Sequence, residues 1–127
     1  MHETVLIVDD SKIVRTFVKI QLVARKFAYL EAEDGDDAME LVKSRTVDLI
    51  IADVNMPRKN GLNLLAEVRA LDDPDRCGVP FIMLTSDDDA AAEATALASG
   101  VTAFLHKPVN AAGLLDAVSR ALPSAYA

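Results

Sequence analysis

Two adjacent acids (Asp9 and Asp10), a third at Asp53, a hydroxyl at Thr85 and an ammonium at Lys107 are scattered through the chain. Each nevertheless stands at or just past the end of a short apolar run: residues 5–8, 49–52, 81–84 and 103–105. If those runs are strands of one parallel sheet, their carboxyl ends share a rim, and that rim is where such sheets bind ligands. Three carboxylates, a hydroxyl and an ammonium gathered there suit transfer of a phosphoryl group to a carboxylate. Asp53 is the expected nucleophile and would form an acyl phosphate. Carboxylates crowded against a dianionic donor repel one another unless a cation intervenes. Mg²⁺ fits, because it takes one or two carboxylates, keeps waters and accepts phosphate oxygens. Asp10 and Asp53 are expected as direct ligands, with Asp9 orienting a bound water. Lys107 would set a positive charge on the transferring oxygens and Thr85 a hydroxyl donor, each charge-assisted hydrogen bond worth about 1.5–3 kcal/mol. Catalysis would then be mainly positioning and charge stabilisation.

The elements between these residues alternate. Residues 4–8 are nearly all apolar, as in a strand buried on both faces. Ser11 can cap a helix in which Ile13, Val14, Phe17, Val18 and Leu22 recur at helical spacing. Residues 28–32 make a more polar strand suited to a sheet edge, and Asp34-Gly35 turns into a helix over 37–44 with Leu41 and Val42 inward. Residues 47–52, apolar but for Asp48, read as a central strand. Residues 53–60 are a loop carrying Met56-Pro57 and closed by Gly61. A helix with Leu62, Leu65, Val68 and Leu71 follows, and ends before Asp72-Asp73-Pro74. Residues 81–84 and 102–106 are the last two strands. The fourth helix spans 87–99 and stops at Gly100; the fifth spans 110–122 and stops at Pro123. The expectation is a single doubly wound (βα)5 α/β domain over residues 1–127, with no output domain. Its parallel sheet should have the flavodoxin-like strand order 2-1-3-4-5, with the switch point between the strands carrying Asp10 and Asp53.

Composition narrows the function. The chain has 127 residues, enough for one domain that buries roughly two-thirds of its unfolded surface. Net charge is −7, from 20 acidic and 13 basic side chains, which argues against a nucleic-acid or anionic-membrane partner. Cys77 is the single cysteine, no apolar run approaches membrane-spanning length and the start lacks a basic leader, so a cytoplasmic protein is expected.

These residues resemble the receiver domain of bacterial response regulators over essentially the whole chain. Val8-Asp9-Asp10-Ser11 is similar to the family's acidic pair, and residues 53–61 to its phosphoacceptor loop, with Met56-Pro57 and Gly61 in register. Leu84-Thr85-Ser86 and Lys107-Pro108 complete the set. Two departures, Ser86 for a commoner alanine and Asn60 for a commoner aspartate, leave the pocket open and touch only the loop. The resemblance implies that Asp53 is phosphorylated and that Asp10, Asp53 and the Asn55 carbonyl hold Mg²⁺, with Asp9 behind them. It implies that Phe104 is an aromatic switch coupled to Thr85, and that the Lys107–Pro108 bond is cis. It also implies a histidine kinase or histidine phosphotransfer protein as donor. The downstream protein target would bind the face of the fourth helix, fifth strand and fifth helix. The chain would be no enzyme beyond its own phosphorylation and dephosphorylation. A phosphotransfer intermediate, or a receiver cut from a larger regulator, would read alike.

Singly, each residue has a plainer explanation. Asp9-Asp10 and Asp87-Asp88-Asp89 suit helix starts, Thr85 a strand end, Lys107 a surface, Pro108 a first helical turn and Phe104 packing. The six alanines within 90–98 are good helix formers. His2 and His106 lack companion ligands, and Cys77 lies in a loop at 75–78. The joint pattern overrides these for the reaction centre. A flavin carrier would need a Ser/Thr/Gly-rich phosphate loop where Asp-Asp-Ser stands. A haloacid-dehalogenase-like phosphatase would need a second aspartate two residues after Asp53, where Asn55 stands.

Overall fold

The computed structural model describes residues 3–56, 59–85, 90–107 and 109–122. Five strands, β1 (Thr4–Val8), β2 (Ala28–Ala32), β3 (Leu49–Asp53), β4 (Phe81–Thr85) and β5 (Ala103–His106), form one all-parallel sheet in the order 2-1-3-4-5. The central β3 and β4 are buried at every residue, whereas edge strands β2 and β5 are only partly covered. The helices are α1 (Lys12–Gln21), α2 (Gly35–Ser44), α3 (Gly61–Arg69), α4 (Pro74–Cys77), α5 (Ala90–Ala98) and α6 (Ala111–Ala121). They divide between the two faces. Val18 and Leu22, from α1 and its end, join Leu114, Ala117 and Val118 of α6 over Val5, Ile7, Leu49, Ile51, Ile82 and Leu84. On the other face, α2, α3 and α5 cover Leu6, Val8, Ile50, Ala52, Phe81 and Met83. Alternate strand residues therefore serve separate cores, as the period of two requires.

Local chemistry explains the starts. Ser11 Oγ caps α1 by accepting from Val14 N at 3.3 Å, Asp34 caps α2 through Asp37 N at 2.9 Å, and Asn60 caps α3 through Asn63 N at 2.9 Å.

Two expectations are corrected. The loop expected around Cys77 contains α4, because Asp73 caps it through Asp75 N at 2.9 Å and Pro74 suits a first helical turn. Ile13 and Phe17 do not face the core: they are 82% and 54% exposed. Val14, Val18 and Leu22, spaced by four, already fill the strip facing the sheet, which leaves Ile13, Phe17 and Ile20 on the outer side. His2, Pro57, Ser86, the acids at 87–89, Pro108 and Pro123 lie outside the described residues. The expected cis bond before Pro108 and the acidic start of the fourth helix lie there with them.

Candidate phosphoryl-transfer site

Register brings the site together. Asp9 continues the alternation of Val5 and Ile7, Asp53 that of Leu49 and Ile51, and Lys107 that of Ala103 and Leu105. All three side chains therefore emerge with the parity of one sheet face, at the carboxyl ends of β1, β3 and β5. Lys107 Nζ stands 2.9 Å from Asp53 Oδ2 and 3.5 Å from Asp9 Oδ2. Asp53 Oδ1 accepts the Asn55 backbone N–H at 3.0 Å, which turns the β3–α3 loop tightly over the carboxylate. Asp9 Oδ1 accepts Ser11 N at 2.9 Å, so the same carboxyl group spans the start of α1 and the ammonium.

Asp9 is 3% exposed and Asp53 9%. Burial pushes the Asp9 carboxyl up to about 6; the Ser11 N–H and Lys107 pull it down, while Asp53 adds to the rise. Burial alone would lower the Lys107 ammonium, but the hydrogen bond and charge of Asp53, then Asp9, hold it above its ordinary value. Two partly desolvated acids thus share one cation. That donor set, hard carboxylate oxygens with incomplete charge compensation, fits a small oxygen-seeking dication such as Mg²⁺. Asp10 follows Asp9 but is exposed at the rim. Among the described residues no three acidic, histidine or cysteine side chains already converge as a metal cage. A cation here would complete its shell with water and ligand oxygens, as Mg²⁺ commonly does.

Thr85, 1% exposed, has the other parity. It continues Phe81 and Met83, pairs in register with His106, and its carbonyl accepts Lys107 N at 2.7 Å. Phe104 lies opposite Met83, partly buried, with its ring edge-on to His106 at 5.6 Å between centroids. The structure therefore gathers Asp9, Asp53 and Lys107 directly, puts the Asn55 N–H on Asp53, leaves Asp10 exposed next to Asp9 in the chain, and sets Thr85 and Phe104 on the adjoining side of β4 and β5. One residue of the site escaped the sequence reading: Arg15, 8% exposed, donates from Nη1 to the Asp9 carbonyl at 2.6 Å. Its only signal was a cation flanked by inward-facing valines on α1.

A family model described as the response regulator receiver domain matches residues 5–119. The chain belongs to that family. This receiver domain is 32% identical to the chemotaxis protein CheY of Bacillus subtilis over 123 residues, covering 96% of this chain and 99% of that one. It is 30% identical to the CAI-1 autoinducer sensor kinase/phosphatase CqsS of Vibrio cholerae over 119 residues, 93% of this chain but 17% of that protein. Among solved structures, the chemotaxis protein CheY4 of Vibrio cholerae superposes with a TM-score of 0.86 at 32% identity, covering 96% of this chain and 100% of that one. The receiver is thus similar both to a protein of its own length and to a small part of a far longer one. No described helix of the receiver is long and apolar enough to cross a membrane.

Proposed function

We propose that this receiver domain is a phosphorylation-controlled switch of two-component signalling. It accepts a phosphoryl group on Asp53 from the phosphohistidine of a histidine kinase or histidine phosphotransfer protein. The observation that carries the reading is the contact of Lys107 Nζ with Asp53 Oδ2 at 2.9 Å, beside a second buried acid. A carboxylate oxygen of Asp53 attacks phosphorus, the P–N bond to the donor imidazole breaks, and its electron pair stays on that nitrogen. Lys107 passes its hydrogen bond from the carboxylate to the phosphoryl oxygens, and Thr85 donates its hydroxyl to another. Asp10, Asp53 and the Asn55 carbonyl would hold Mg²⁺, with Asp9 reaching it through water. The ion would supply charge neutralisation between the acids and the phosphoryl group. Water later attacks phosphorus and regenerates the carboxylate, so the domain catalyses only its own phosphorylation and dephosphorylation.

Phosphorylation then alters the affinity of the α5–β5–α6 face for a protein target, through Thr85 and Phe104. Support comes from register: Thr85 follows Met83, the neighbour of Phe104, so a shift of Thr85 toward Asp53 frees space beside that ring.

The test is incubation with acetyl phosphate and Mg²⁺. One phosphoryl mass should be gained, and EDTA or Asp53→Asn should abolish the gain. Stable phosphorylation of the Asp53→Asn protein at another residue would overturn the assignment.

A further inference from the structure

Arg15 is a buried cation that, among the described residues, forms its ion pair with Glu31 and meets Asp9 through the main chain. Its Nη1 donates to the Asp9 main-chain carbonyl at 2.6 Å, and its Nε to Glu31 Oε1 on β2 at 2.9 Å. Glu31 is itself held by Lys19 at 2.9 Å. Asp9 N donates to the Ala32 carbonyl at 3.1 Å. The acidic pair therefore hangs from β2 at two points, one direct and one through the guanidinium. The Asp9 carbonyl belongs to the planar peptide that joins Asp9 to Asp10. Pinning that oxygen restrains the plane, and the plane sets the Asp10 Cα from which its carboxylate projects.

We propose that Arg15 is a positioning residue for cation binding: by clamping the Asp9–Asp10 peptide between α1 and β2, it aims Asp10 at the space beside Asp53. The inference rests on the reading of the site given above. An apolar side chain at this buried position of α1 would avoid desolvating a charge. Glu31 already neutralises the guanidinium, so the arrangement supplies geometry more than field. The forked donor matters too, since a lysine ammonium is a point charge that lacks the planar two-way grip.

The sign of the effect separates geometry from electrostatics. Removing a nearby cation by itself strengthens the hold of acids on a dication, whereas losing the clamp weakens it. The experiment titrates Mg²⁺ alone by calorimetry into the wild-type protein, Arg15→Met, Arg15→Lys and Val68→Ala, a buried α3 control on the opposite face. Arg15→Met should bind Mg²⁺ roughly 10- to 100-fold more weakly, the usual cost of losing an outer partner. Its acetyl phosphate rate should recover at saturating Mg²⁺. Val68→Ala should melt earlier with unchanged Mg²⁺ affinity, and Arg15→Lys should regain only part of the loss. If Arg15→Met fails to fold, Glu31→Gln keeps the arginine but loosens its anchor, and should weaken Mg²⁺ in the same direction. Unchanged or tighter Mg²⁺ binding by these variants, equal weakening in Val68→Ala, or full rescue by lysine would overturn the clamp. Phosphorylation of the wild type that is indifferent to EDTA would instead overturn the reading of the site itself.

Discussion

Burial strips water from Asp9 while Asp53 stands beside it, and together they hold its carboxyl at about 6, against 3.8 for an ordinary aspartate. In the unfolded chain that proton is lost near 4, and in the folded one near 6. Folding therefore binds an extra proton between those values, and stability falls as pH rises through that window. Above it the penalty is constant, at most about 3 kcal/mol by the cost of a pKa unit. Asp9→Asn removes this titration but keeps an oxygen for Ser11 N. Urea unfolding should show the variant more stable than the wild type by about 1–3 kcal/mol at pH 8, with the difference shrinking below pH 6 and absent near pH 4. A gain that persists undiminished to pH 4 would mean that Asp9 is not the titrating group. Asp53 and Lys107 were legible in the sequence because one directly follows an apolar run and the other stands two residues past one. Arg15 was not, because the carbonyl it serves belongs to the backbone and carries no residue-type signal.

At the scale of elements, the β3–α3 loop is packed backbone against backbone. A Cβ on Gly61 would run into the Asp53 carbonyl oxygen and crowd the Val54 Cα. Gly61→Ala should cost about 1–3 kcal/mol, as overpacking generally does. It should also slow phosphorylation by acetyl phosphate, since the loop that must yield is the one presenting Asn55 to Asp53. Unaltered stability and rate would show that the loop gives way freely. Helix α1 offers a second measurement. Ile13→Gln, at an 82% exposed position, should change stability by less than about 0.5 kcal/mol. Val18→Ala, at 3% exposure, should cost about 1–3 kcal/mol. Equal losses would restore the inward reading of Ile13. Strand order and helix positions were readable because buried runs, caps and breakers coincide. The facing of α1 was less so: two adjacent apolar stripes fit helical spacing, and only tertiary packing beside α6 chooses between them. Helix α4 was missed because its four residues are too few to carry a period.

Across the whole molecule, the strand period divides labour between two sheet faces. Asp9, Asp53 and Lys107 share the parity of the α1–α6 core, whereas Thr85, Phe104 and His106 share that of the α2–α3–α5 core. Under the proposed function, a signal from the carboxylate to Phe104 and α5 crosses the sheet at the end of β4, where Thr85 stands, whereas α6 already lies on the carboxylate's own face. Beryllofluoride, as a phosphoryl mimic, should shift amide resonances around Phe104 and along α5 and α6, and Thr85→Ala should suppress those shifts while the mimic still binds. Burying an aromatic ring and making one hydrogen bond supply a few kcal/mol, enough to invert a two-state population. Shifts that survive Thr85→Ala intact would place the crossing elsewhere. The parallel sheet has one further result. The single cysteine, Cys77, lies on α4 just before β4 begins, partly exposed, at the rim opposite the reacting groups. A maleimide linker on that thiol would tether the native chain to a sensor surface with its acidic rim pointing outward. Partner binding could then be followed in real time on a uniformly oriented layer, with no residue substituted.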